Sequence, residues 1–262
     1  MKVGVIQLTS VLDFQKNLDT IKKYLKEAKD CGCEAVFLPE CFYSMSNGSS
    51  PTPYLINANN EHYENIKNLA VEFEIAILGG SAAAMGGGNV VNRCFNFGPN
   101  GQDLGTYDKV HLFSCDIKKG DTRKKIDEGD IYTSGDEDKV LRYKDIKIGL
   151  GICVDVRFSE MALNYRKKGC DILTYSSAFT VPTGKAHWEI LLRARAIEGQ
   201  CFVIAPAQWG EHNEKISTYG HSMIIDPWGN ILANAEEGEK LIVADIDLEQ
   251  IQQVRSSVIM GI

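Results

Sequence analysis

Three side chains with complementary chemistry stand where apolar runs end: Glu40, Lys109 and Cys153. A thiolate attacks a carbonyl carbon, and an ammonium beside it favours the thiolate form. A carboxylate within hydrogen-bond reach can take the thiol proton and later activate water. The lysine and the backbone N–H of Val154, just after the cysteine, can both face a developing oxyanion. The set makes a workable acyl-transfer site that needs no metal. Each member also has an ordinary reading. Free cysteine is a common buried hydrophobe, Glu40 can cap a turn, and Lys109 can be a surface lysine at a strand end.

The elements that must place them are legible from periodicity. Ile146 to Cys153 alternates apolar and small residues, reads as a buried strand, and delivers Cys153 where the pattern turns polar. Gly149 and Gly151 leave room for a backbone or a ligand beside that strand. Ala35 to Leu38 is a short strand ended by Pro39, which removes a ladder donor and keeps Leu38 extended, so Glu40 falls just past the strand. Leu104 to Phe113 carries Lys109 and is entered from Val90–Phe97 through a hairpin at Pro99-Asn100-Gly101.

Val3 to Leu8 opens the chain as a strand, and a helix follows with Leu18, Ile21, Leu25 and Ala28 on one face. Tyr63, Ile66, Ala70 and Phe73 mark a second helix, ahead of a strand over 75–79. Residues 114–138 read as a charged, irregular active-site cover. Further on come a hairpin of 140–143 with 146–153, a helix over 159–168, a strand over 172–175, a helix over 186–200 and a strand over 202–205. Strands at 221–226, 231–235 and 241–246 and a short helix over 248–255 close the chain. Strands, helices and hairpins alternate, which implies α/β with mixed sheets. No linker or repeat interrupts residues 1–262, so a single domain of stacked sheets with outer helices is expected.

A 44% hydrophobic content supports a sizeable core, and the net charge is −7. With a pI near 5.3 and no wide basic cluster, nucleic acid is not an expected partner. No apolar run reaches the length of a membrane span. Eight scattered cysteines, and an N-terminus without a signal-peptide pattern, point to reduced thiols and a cytoplasmic setting.

The segments Leu38–Phe42, Tyr107–Phe113 and Gly151–Phe158 together resemble the three signature segments of the carbon–nitrogen hydrolase (nitrilase) superfamily. Tyr175–Phe179, Thr183–Glu189, Arg193–Glu198 and Tyr219 to Gly229 are similar to the Nit-type amidases, with the deaminated glutathione amidases nearest and the omega-amidases next. The resemblance implies a four-layer α-β-β-α sandwich, usually paired through its outer helices, giving a homodimer or larger homo-oligomer. It also implies a cofactor-free Glu-Lys-Cys triad of Glu40, Lys109 and Cys153, with Glu128 as a second glutamate positioning the lysine and substrate.

For substrate binding, the resemblance places Arg157 where a guanidinium can grip a carboxylate by two parallel hydrogen bonds, and Phe179 and Thr183 at pocket positions. A structural ion pair is the alternative for Arg157. Phe42 and Tyr43, beside Glu40, either wall the pocket or pack as core. His187 and His221 read as structural hydrogen-bonders. Val154 stands in place of the usual aromatic after the nucleophile, which changes pocket shape and keeps the N–H. The absence of a Cys-Trp-Glu pattern favours amides over nitriles.

The expected reaction is attack of Cys153 on the primary amide of a small carboxylate-bearing substrate, release of ammonia, and hydrolysis of the thioester by water. Deaminated glutathione leads the substrates so implied, ahead of 2-oxo acid amides. An N-carbamoyl amine amidohydrolase, a plain cysteine-histidine hydrolase, and an idle binding or scaffold member are the alternatives.

Overall fold

The computed structural model describes residues 1–58, 60–119 and 122–261. In chain order the first half runs β1 (Lys2–Gln7), α1 (Phe14–Asp30), β2 (Ala35–Phe37), α2 (Glu61–Phe73), β3 (Ala76–Leu78), β4 (Ser81–Gly86), β5 (Asn89–Phe97) and β6 (Asp103–Asp108). Then come β7 (Ser114–Lys119), β8 (Thr122–Asp127), β9 (Val140–Tyr143), β10 (Ile146–Ile152), α3 (Ser159–Lys167), β11 (Ile172–Ser176), α4 (Val181–Gly199) and β12 (Phe202–Ala205). The chain closes with β13 (Trp209–Glu211), β14 (Ser217–Tyr219), β15 (Met223–Ile225), β16 (Ile231–Asn234), β17 (Lys240–Asp245) and α5 (Leu248–Ser257).

Two mixed sheets are stacked. One has the order β17-β1-β2-β3-β5-β4 with β6 paired to β5, and the other runs β16-β15-β12-β11-β10-β9. Period-two alternation makes the layering. Val3, Val5, Ala35, Phe37, Ala76 and Leu78 join a core shared with Ile148, Leu150, Ile172 and Ile204 of the second sheet. Ile6, Val36 and Ile77 of the same strands point the other way, onto Leu18, Ile21 and Leu25 of α1 and Ile66 and Leu69 of α2. Met161 and Tyr165 of α3 and Trp188 and Leu192 of α4 cover the far face of the second sheet. The layers are α-β-β-α, as expected.

Several elements differ from the periodicity reading. The stretch expected as an irregular cover contains the β7–β8 hairpin, whose polar sequence carries no apolar alternation to announce it. The helix expected from Ala186 begins at Val181, with Pro182 in its first turn, where the missing N–H costs no helical bond. The strand expected over 75–79 is β3, and Gly79, at φ 75°, turns the chain into β4, a strand the periodicity reading did not give. A Cβ on Gly80 would meet Leu38 Cβ at 2.7 Å, so the turn is pressed against the end of the neighbouring strand. The polar stretch after β12 holds a second small hairpin, β13–β14. Among the described residues no helix is long and apolar enough to cross a membrane.

Candidate active site

Cys153 follows directly on β10, which runs parallel to β11, and it opens a 3-10 turn over Cys153–Arg157. Its φ is +51°, a left-handed value costly for a residue with a side chain. Asp155, fully buried in that turn, holds the strain in place. Its Oδ2 accepts from Ile152 N at 2.8 Å and from the Tyr107 hydroxyl at 2.7 Å. Its Oδ1 accepts from His111 N at 3.2 Å and contacts His111 Nδ1 at 2.7 Å. Tyr107 and His111 flank Lys109, so one carboxylate fastens the nucleophile turn to the lysine segment. The space beside Gly149 and Gly151 is taken by aromatic rings: an added Cβ would meet Tyr165 at 2.6 Å and Tyr175 at 2.8 Å.

Glu40 lies past the end of β2, followed by Cys41 at φ +54°. The buried Gln208 crosses from the other sheet to donate from Nε2 to the Glu40 carbonyl at 2.9 Å. Glu40 Oε1 receives Lys109 Nζ at 2.8 Å and Asn92 Nδ2 at 2.9 Å. Lys109 N donates to Asn92 O at 2.9 Å, so Asn92 touches both partners. Glu128 holds the other side of the ammonium at 2.8–2.9 Å and is itself fixed by Phe113 N donating to its Oε2 at 2.8 Å. Cys153 lines the same pocket wall as Glu40 and Glu128, close enough for Glu40 and Lys109 to act on its thiol. The structure thus brings Glu40, Lys109, Glu128 and Cys153 into one group.

The electrostatics of this group differ from the simple ammonium–thiolate picture. Burial raises the Cys153 pKa well above the usual thiol value; Glu40 raises it further, and Lys109 only partly opposes them. The resting nucleophile is therefore a neutral thiol. Burial also raises the Glu40 carboxyl against the pull of Lys109, which moves it toward the range useful for a base. Burial opposes the Lys109 charge, but Glu128 and Glu40 outweigh it and hold this pKa well above the usual lysine value.

A pocket of ≈ 330 Å³ opens over the group, and Glu40, Glu128, Cys153 and Val154 reach its wall. Lys109 does not; its side chain is 0% exposed, behind the two carboxylates. Arg157, Phe179 and Thr183 line the pocket. The Arg157 guanidinium lies 5.1 Å from the Phe179 ring centroid and 3.3 Å from His187 Nδ1, and it makes no ion pair with a carboxylate among the described residues. The structural ion pair weighed for it is not formed among the described residues.

Tyr43 is a correction. It does not line the pocket; its ring stacks on Phe14 at 5.2 Å and its hydroxyl meets His62 Nδ1 at 2.8 Å, within the outer helical layer. The strand-end turn after Glu40 aims the glutamate and the tyrosine in different directions. His187 and His221 also stay off the pocket wall. His221 stacks on Tyr219 at 3.9 Å and contacts the Tyr219 carbonyl at 3.0 Å. No cysteine-histidine pair forms at the site.

The periodicity reading missed Asn92, which lies inside a strand and carries no signal until its register is known. It also missed Tyr132, a phenol that lines the pocket together with Cys41. Met45–Ser49, Ile131, Tyr132 and the Lys215–Ile216 pair, from three separate stretches of the chain, complete the pocket wall. Among the described residues no cluster of three or more histidine, cysteine or acidic side chains could hold a metal ion.

Comparison with known proteins adds a second line of observation. A profile of the family described as carbon-nitrogen hydrolase matches residues 2–256. The omega-amidase NIT2 of Xenopus tropicalis is 37% identical over 93% of this chain and 87% of its own. A deaminated glutathione amidase of Synechocystis is 37% identical over 96% of this chain and 93% of its own. The crystal structure of Saccharomyces cerevisiae Nit3, described as a member of branch 10 of the nitrilase superfamily, matches with a TM-score of 0.85 at 29% identity, covering 100% of this chain and 95% of the other.

Proposed function

Because the chain belongs to the carbon–nitrogen hydrolase family, we propose that it hydrolyses the amide of a small carboxylate-bearing substrate through a thioester on Cys153. The chain is an amidase of the nitrilase superfamily, acting on a small-molecule amide and water, as its omega-amidase and deaminated glutathione amidase relatives are named. The observation that carries the residue assignment is the convergence of Cys153, Glu40 and Glu128 on one pocket, with the Lys109 ammonium held between the two carboxylates.

As Cys153 Sγ bonds to the amide carbon, its proton passes to Glu40 and the carbonyl electron pair moves onto oxygen. The Val154 N–H, near the start of the 3-10 turn where backbone donors lack helical partners, faces that oxyanion. The buried Lys109 ammonium stabilises it through a low-dielectric interior. Glu40 then gives its proton to the amide nitrogen, the C–N bond breaks, and the amine leaves. Water enters, loses a proton to Glu40 and attacks the thioester. The C–S bond breaks and the thiol is restored. Glu128 keeps the ammonium between two carboxylates throughout. Arg157 grips the acyl-side carboxylate, with Phe179 and Thr183 as walls.

The amine released depends on the substrate. A 2-oxo acid primary amide yields ammonia. Deaminated glutathione carries a secondary amide and would release its cysteinylglycine portion, which corrects the expectation of ammonia for that compound. Offering both kinds of amide and measuring ammonia, free amine and acid separately tests the reading; no Cys153-dependent product from either would defeat it.

The same reading takes residues 1–262 as one domain and the eight unpaired thiols as fitting a reducing cytoplasm. It pairs two copies through the outer face of α4, where Ile190 is 70% exposed and Ile197 51%. A single-copy mass in light scattering would remove the dimer.

A further inference from the structure

Among the described residues, Lys109, Arg157 and Lys215 are the cations of the pocket region, and only Lys109 is balanced. Lys109 lies between Glu40 and Glu128. Arg157 and Lys215 both line the pocket, and neither makes an ion pair among the described residues. Lys215 Nζ lies 3.0 Å from the hydroxyl of Ser49, another lining residue. Asp127, the remaining carboxylate on the wall, uses its Oδ1 to accept the Gly129 N–H at 3.0 Å.

The turn that presents Lys215 is fastened from several sides. Asn213 Oδ1 accepts from Lys215 N at 3.0 Å and Ile216 N at 3.1 Å, while Asn213 Nδ2 donates to Ser46 O at 3.3 Å. The buried His212 ring bridges Ser10 O at 2.8 Å and Thr218 Oγ1 at 2.7 Å. The β13–β14 turn and the loop bearing Ser49 are thus tied together, holding an ammonium and a hydroxyl side by side over the pocket. An ammonium with a hydroxyl donor is suited to a carboxylate.

We propose that Lys215 and Ser49 form a second carboxylate subsite, which receives an acid group on the amine portion of the substrate. The inference rests on the amidase reading and narrows it. Among the amides already considered, such a subsite favours the N-substituted ones over the primary ones, because only they carry an acid group beyond the scissile bond. A pocket of ≈ 330 Å³ falls in the range that encloses drug-sized ligands, about 300–1,000 Å³, and leaves room for an amine portion beyond a five-carbon acyl group. Hydrolysis places the hydroxyl of water on the acyl carbon and its proton on the departing nitrogen.

The test compares two ligands that differ only at the far end: 2-oxoglutarate joined through its distal carboxyl to glycine, and the same acid joined to ethylamine. Binding is measured by calorimetry in Cys153→Ala, so turnover does not intervene. The glycine compound should bind more tightly by roughly threefold to tenfold, a modest figure because Lys215 is solvent-exposed. The preference should shrink with added salt. It should vanish in Cys153→Ala/Lys215→Ala and persist in Cys153→Ala/Lys215→Arg. Equal or undetectable binding of the two ligands, or a preference untouched by Lys215→Ala, overturns the subsite. Turnover of the ethylamide by the intact enzyme is read separately: its absence would count against the amidase reading, while the binding comparison still judges Lys215.

Discussion

Lys109 Nζ lies 2.8 Å from Glu40 Oε1 with the lysine side chain 0% exposed and the glutamate side chain 3% exposed. An ammonium in that position is costly unless both of its carboxylate partners are present, and Glu128 supplies the second. Removing the lysine leaves the buried Glu40 carboxylate beside Glu128 with no countercharge. Lys109→Ala is expected to lose about 3–5 kcal/mol of stability and roughly 10³-fold or more in kcat/KM. Urea unfolding and steady-state rates check both, and a variant with ordinary turnover would remove Lys109 from the mechanism.

Glu40 must be ionised to accept the thiol proton, and burial raises its pKa above the ordinary carboxylate range. Activity should therefore fall as pH drops through that raised value, so the acidic limb of kcat/KM sits above the free-glutamate value of about 4.3. Glu40→Gln removes the base and should cost roughly 10²–10⁴-fold in kcat. It should also lower the Cys153 pKa, since Glu40 raises that thiol while Lys109 lowers it. Thiolate absorbance against pH in the variant measures the shift, and an upward move would contradict the charge arrangement.

Asn92 gives Glu40 a fixed donor at 2.9 Å, and its Oδ1 takes no hydrogen bond among the described residues. In Asn92→Ala the hydrogen bond that favours the charged carboxylate is gone, and the acidic limb should move further up in pH. kcat should fall about tenfold with KM little changed. A variant that loses only stability, with its pH profile unmoved, would make Asn92 structural.

The chain's legibility follows from where its signals lie. Glu40 and Cys153 are readable because Pro39 ends one strand and a polar turn ends the other, and each sits at that punctuation. Glu128 lies 19 residues beyond Lys109 in a charged stretch, and only the family resemblance singles it out. Asn92 is silent because its direction depends on the β5–β6 register, which pairs Arg93 with Asp108. Tyr43 misleads because its ring turns outward onto Phe14 of α1, while Cys41 before it and Met45–Ser49 after it line the pocket. Strand periodicity gives the layers; the lateral register that assembles the site is a tertiary property.

Asp155 should behave as a fastener. Asp155→Ala strands the Tyr107 hydroxyl, Ile152 N–H and His111 donors together, for an expected loss of about 2–4 kcal/mol. Chemical unfolding measures it, and an unchanged midpoint would show that the strained Cys153 turn is held by something else.

Arg157 has no carboxylate partner among the described residues and rests against His187 and Phe179. Arg157→Ala should raise KM roughly 10–100-fold for a 2-oxo acid amide and far less for the matched neutral amide, because a charge-assisted pair is lost only with the acid. Equal losses with the two substrates would show that the arginine does not grip the acid.

The thioester on Cys153 is the central claim, and rapid acid quench followed by intact-mass and peptide mass spectrometry tests it most directly. With a 2-oxo acid amide, the wild-type chain should gain the mass of the acyl group on the peptide containing Cys153, and Cys153→Ala should show neither adduct nor turnover. An adduct on Cys41 instead, or a Cys153→Ala enzyme that still turns over, would contradict the account.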